Sequence, residues 1–177
     1  MARERAPCRV REACRRCVGV LGGLLLATTA ARAAYAGADC SISSANVNFG
    51  TYEPALATPD DAAVTVTVTC RYVPPRATGV NYTITLSSGL HGTSAATRHM
   101  AAGTGLLPYN VYDDPARTRI WGTGTGGTAV ASGAMTVGPG VGNATRTATH
   151  VIYGRIAPLL DVGPGSYVDT LVLTLVY

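Results

Sequence analysis

The chain has 177 residues, a length suited to one domain and not to the two lobes of a large cofactor enzyme. Only 14% of the residues are charged, all 14 basic residues are Arg, and the formal net charge is +4. Seven of those Arg, with Glu4 and Glu12, fall in the first 36 residues; the rest carries seven Arg against eight acids, a net of −1. A nucleic-acid backbone needs clustered cations, so nucleic acid is excluded as a partner.

The first predicted element is a leader. Residues 1–17 are Arg-rich, Val18 to Ala31 form an apolar run of 14 residues, and Ala31-Arg32-Ala33 and Ala34-Tyr35-Ala36 both offer small-x-small cleavage sites. A membrane-spanning helix needs about 20 apolar residues. Residues 1–36 therefore read as a cleaved signal peptide and 37–177 as the exported domain. Cys8, Cys14 and Cys17 leave with the leader, so only Cys40 and Cys70 remain. In an oxidising compartment two such cysteines pair, and closing about 30 residues stabilises by roughly 3 to 4 kcal/mol on the chain-entropy model. As metal ligands they lack a second Cys or His at ligand spacing.

From Gly37 onward the pattern has period two. Val64, Val66, Val68, Cys70 and Tyr72 alternate with Thr65, Thr67, Thr69 and Arg71, which predicts a half-buried strand over 62–72 with Cys70 pointing inward. Val80, Tyr82, Ile84 and Leu86 alternate with Asn81, Thr83, Thr85 and Ser87, which predicts a second strand after the Pro74-Pro75 turn, antiparallel to the first. Further strands are expected at 41–49, 106–112, 129–137, 144–156 and 167–177, with long loops over 87–105 and after Trp121. About seven short strands and almost no helix argue for a β-sandwich.

The final strand differs from the others. Leu171, Leu173 and Leu175 lie on one face, Val168, Val172 and Val176 on the other, and Tyr177 closes the sequence. An exposed apolar edge invites pairing with another chain. Either another strand of this chain covers it or a strand of another molecule does.

Several patterns look catalytic and are read otherwise. Gly122, Gly124 and Gly127 spell G-x-G-x-x-G, but no helical pattern follows to hold a pyrophosphate, so no nucleotide cofactor is expected. His91, His99 and His150 have no metal-binding spacing, and no G-x-S-x-G elbow is present. Asp60-Asp61 and Asp113-Asp114 sit beside Pro and read as turn residues. Neither a catalytic nor a metal constellation emerges, and a non-enzymatic protein is expected. Loops near Trp121 could form a ligand site, although a lone Trp is more often packed in a core.

The ordered set Asn48-Phe49-Gly50-Thr51-Tyr52, Cys70, Leu86-Ser87-Ser88-Gly89, Arg98-His99-Met100, Leu107 to Tyr112, Trp121-Gly122, Val151 to Ile156 and Gly165 to Thr170 resembles the spore coat protein U domain family. That family includes the subunit module of archaic, Csu-type chaperone-usher pili, and the resemblance spans Cys40 to Tyr177. It implies an incomplete immunoglobulin-like sandwich lacking its final strand. The groove so left would be filled by a periplasmic chaperone, then, beyond an outer-membrane usher, by a neighbouring subunit's segment. Val168, Leu171, Val172, Leu173, Leu175, Val176 and Tyr177 would form the groove wall. With three to six residues before Cys40, the exported chain would accept a strand but have none to donate. The implied function is a pilus subunit at the cell surface, perched at a fibre tip and supporting adhesion and biofilm formation. The alternatives are a secreted coat component or a carbohydrate-binding tip adhesin.

Overall fold

The computed structural model describes residues 25–30, 37–140 and 142–177. Strands β1 (Leu25–Ala30), β2 (Ala38–Ser44), β3 (Asp60–Tyr72), β4 (Thr78–Leu86), β5 (Arg98–Ala102), β6 (Gly105–Tyr112), β7 (Ala131–Val137), β8 (Thr145–Ile156) and β9 (Thr170–Val176) build two sheets. One has the order β1-β9-β4-β7, the other β2-β3-β8-β6-β5. The architecture is an immunoglobulin-like β-sandwich, and the described residues include no helix.

Alternation places one face of each strand in the core. Val66, Val68 and Cys70 of β3 and Val80, Tyr82, Ile84 and Leu86 of β4 are buried, while the Thr side chains between them are wetter. Each fully buried aliphatic side chain contributes about 1.5–3 kcal/mol. Cys40 and Cys70 face one another in the β2/β3 register and form a disulfide, with Cα atoms 4.0 Å apart.

Three expectations are corrected. β3 and β4 do not pair: β3 lies between β2 and β8, β4 between β9 and β7, and the Pro-containing connection carries the chain from one sheet to the other. Their apolar faces meet across the core, which satisfies the same alternation. The 87–105 segment is not all loop, because β5 forms there against β6, with Arg98 and Met100 buried. Asp60 and Asp61 begin β3 instead of a turn. Asp61 accepts two hydrogen bonds from Arg155, its cross-strand partner on β8, at 2.7 and 2.8 Å. Asp114 does act as a turn residue, taking the backbone N–H groups of Thr118 and Arg119.

Candidate functional site

β9 pairs with β4 on one side, through Thr83↔Val176 to Leu86↔Leu173. On its other side, among the described strands, it carries β1, in parallel register from Leu25↔Thr170 to Ala30↔Leu175. Those six residues fall inside the apolar run read as part of the leader. If 1–36 is removed, β9 becomes an edge strand whose backbone donors and acceptors on that side have no partner among the described strands. Leu171, Leu173 and Leu175 face the core and are fully buried. Val172 is half-buried, Val168 and Val176 are exposed on the outer face, and Tyr177 packs partly against the core.

The approach to β9 is held by a buried polar network drawn from distant segments. Asp169 accepts a hydrogen bond from the Tyr109 hydroxyl at 2.7 Å and from the Leu90 N–H at 2.8 Å. Gly89, at φ +85°, passes so close to that carboxylate that a Cβ there would collide with it. The Ser87 hydroxyl accepts the Val172 N–H at 2.9 Å, and the Ser87 carbonyl accepts Arg98 Nε at 3.0 Å. Arg98 is 1% exposed, and its other donors reach the Trp121 carbonyl at 2.7 Å and Asn110 Oδ1 at 2.9 Å. Burial draws the guanidinium down to about 10, against the pull of nearby Tyr109 and Asp169. It keeps its charge at neutral pH, spread over carbonyl oxygens. Burial and the bond to Asp169 push the Tyr109 hydroxyl up, so it remains a donor.

Beside the start of β9 lies a cavity of about 640 Å3. Phe49, Tyr52 and Pro54 form one wall, Val162, Pro164 and Tyr167 the other, and Met100, Leu107 and Ile156 the floor. The Tyr52 hydroxyl donates to the Ala157 carbonyl at 2.9 Å and accepts the Leu160 N–H at 2.8 Å. Tyr167 donates to the Gly163 carbonyl at 2.9 Å.

Trp121 is a core residue. It is fully buried and its indole N–H donates to the Ile84 carbonyl at 3.0 Å. The loops around it do converge, over a smaller cleft lined by Thr93, Ser94, Thr123 and Thr128, whose hydroxyls bond those of Thr97 and Thr125 or nearby backbone. Gly122 to Gly127 form a loop that leads to strand β7, not a helix. His150 points into the core, where its Nε2 lies 2.9 Å from the Tyr82 hydroxyl. Among the described residues, no three His, Cys, Asp or Glu side chains gather as a metal site. Sequence reasoning missed the roles of Arg98, Tyr109 and Asp169; the only signal for them was their place in the motifs that carry the family resemblance.

A family model for the Spore Coat Protein U domain matches residues 25–174. The chain belongs to that family. Several of the motif residues knit the approach to β9: Ser87, Gly89, Arg98, Tyr109, Asn110, Trp121 and Asp169. The match starts at Leu25, the first residue of β1, earlier than the Cys40 expected from the motifs. Among solved structures, the chain is similar to the CsuC-CsuE chaperone-tip adhesion subunit pre-assembly complex from archaic chaperone-usher Csu pili of Acinetobacter baumannii. The two are 22% identical with a TM-score of 0.48, over 79% of this chain and 40% of that one, so this chain spans less than half of that chain's length. No curated protein matches.

Proposed function

We propose that this spore coat protein U domain is an exported structural subunit of a chaperone-usher surface pilus and that β9 is the edge at which it accepts a donor strand. The observation that carries the reading is the pairing of β9. On one side its only described partner is a segment inside the residues read as a cleaved leader, although its leucines belong to the core. Adding a strand from a partner satisfies the edge with main-chain hydrogen bonds, and burying four donor side chains contributes on the order of 6 to 12 kcal/mol before ordering costs. A periplasmic chaperone would hold that edge first, an outer-membrane usher would receive the subunit, and a neighbouring subunit would complete it.

Cleavage after Ala36 would leave one residue, Gly37, before β2 begins at Ala38. Such a chain accepts a strand without offering one, which suits a fibre tip and a role in adhesion and biofilm formation. The test is the N-terminus of the surface-exposed protein by mass spectrometry, followed by its melting temperature with and without a donor peptide. A terminus near residue 37 and a sharp stabilisation by peptide are expected. A surface protein that retains residues 25–30, and is already hyperstable alone, would sink the proposal. A mature chain secreted singly, with no chaperone or usher encoded nearby, would favour a coat component that does not polymerise.

A further inference from the structure

We propose that the cavity between the 48–54 and 162–167 segments is a binding site for a neutral sugar, the size of a mono- or disaccharide, and that it is separate from the strand-accepting edge. The site gives the adhesive role proposed above a chemical target and does not depend on strand acceptance. Hydrogen bonding makes the separation. Between the paired stretch of β9 and the cavity stands Val168, whose N–H donates to the Ala101 carbonyl at 3.1 Å and whose carbonyl accepts the Ala101 N–H at 2.9 Å. A strand added along β9 meets main-chain groups already paired there and ends short of the cavity. The cavity, of about 640 Å3, therefore stays open in an assembled subunit and falls in the size range of small-molecule sites.

The walls select the occupant. No Asp, Glu, Arg or His lines the cavity, so nothing there neutralises a phosphate, a carboxylate or an ammonium group. Nucleotides, amino acids and acidic sugars are thereby disfavoured. The half-buried rings of Phe49, Tyr52 and Tyr167 face it from within, and the neutral polar side chains of Asn48, Thr51 and Ser166 stand exposed at its mouth. A pyranose ring matches that division. Its C–H face packs on the negative face of an aromatic ring, while the hydroxyls around its edge exchange hydrogen bonds with amide and hydroxyl groups or keep their water at the open side. A purely apolar molecule would use the rings and leave the mouth idle. The rings are also preset. The Tyr52 hydroxyl bonds the Ala157 carbonyl and the Leu160 N–H, and the Tyr167 hydroxyl bonds the Gly163 carbonyl. Gly105 has no Cβ where one would crowd the Tyr167 hydroxyl. Holding the rings in place beforehand lowers the ordering cost of binding.

The exported protein, purified from the cell surface, is titrated by NMR with the methyl glycosides of glucose, galactose, mannose and N-acetylglucosamine and with lactose and cellobiose, beside glucuronate and indole. At least one neutral sugar should saturate the protein and shift the ring signals of Tyr52 and Tyr167. Gly163 supplies the variant, because it lines the cavity, has an ordinary φ and would place a Cβ in open space. Gly163→Phe should plug the cavity and weaken that sugar by about tenfold or more, whereas Gly163→Ala should not, and both should melt as the parent does. Ser166→Ala, at the exposed mouth, should weaken it severalfold, as one lost hydrogen bond does. Should Gly163→Phe fail to fold, the tyrosine signals and Ser166→Ala decide. The peptide Leu-Leu-Ala-Thr-Thr-Ala should bind without displacing the sugar. No saturable binding by any of the sugars, binding that leaves both tyrosines unmoved, or binding undiminished in Gly163→Phe overturns the proposal. Indole binding where no sugar does would overturn it in favour of a small apolar ligand, and glucuronate binding as tightly as the neutral sugars would overturn the selection against charge. Displacement of the sugar by the peptide would overturn the separation from β9. A protein that binds the sugar and no peptide overturns the acceptor reading and leaves the sugar site standing.

Discussion

Arg98 brings a charge into the sandwich, and the molecule tolerates it because four carbonyl or amide oxygens face its donors: those of Leu86, Ser87, Asn110 and Trp121. Removing the guanidinium would strip the Ser87 and Trp121 carbonyls of this donor, while Asn110 Oδ1 would keep the Val111 N–H. Arg98→Met is expected to lower stability on the order of 3 kcal/mol in a denaturant titration. Arg98→Lys should not restore it, since an ammonium lacks the planar fork. His150 makes a second prediction at this scale. Burial holds its imidazole below the usual value of 6.5, beside Tyr82 and the Trp121 ring. The unfolded chain therefore binds the proton first, and stability present above pH 6.5 should fall as the pH drops below it. A His150→Gln variant should lose that slope in melting curves taken from pH 7.5 to 5.

Among the elements, β2 depends on its disulfide to β3 because its other edge has no partner among the described strands of the sheet. Cys40→Ser with Cys70→Ser should cost roughly 3 to 4 kcal/mol, and reductant should lower the melting temperature of the native chain but not of the double variant. The Asp61–Arg155 pair is different, since both side chains are about one-third exposed. Asp61→Asn should change stability by less than about 1 kcal/mol. The strands themselves were legible in the sequence, because alternation at 62–72 and 80–87 states which side chains face inward. Their pairing was not, because a period of two fits a hairpin and a sheet-to-sheet crossing equally well. β5 escaped notice since its five residues carry a buried Arg where an apolar residue would mark the alternation.

For the whole molecule, export and assembly are one question about β9. With residues 25–30 present, the four-stranded sheet is closed along that edge; with them removed, it ends in a strand with three core leucines behind it. The leader-free chain is expected to aggregate at micromolar concentration when expressed alone and to stay monomeric when a periplasmic chaperone is co-expressed, as read by light scattering. The net charge of −1 over residues 37–177 adds little repulsion against such self-association.

The sequence by itself determined the fold class, the inward faces of the main strands, the pairing cysteines and the doubly apolar last strand, because all of these depend on neighbours along the chain. The tertiary structure alone decided which strands adjoin, that Trp121 is core, that Asp169 and Arg98 secure the approach to β9, and that a cavity lies beside the start of that strand. Each of those depends on groups brought together from segments far apart: Tyr109 meets Asp169 across 60 residues and Tyr52 meets Leu160 across 108. Residue spacing carries no record of such meetings until the two sheets close on one core.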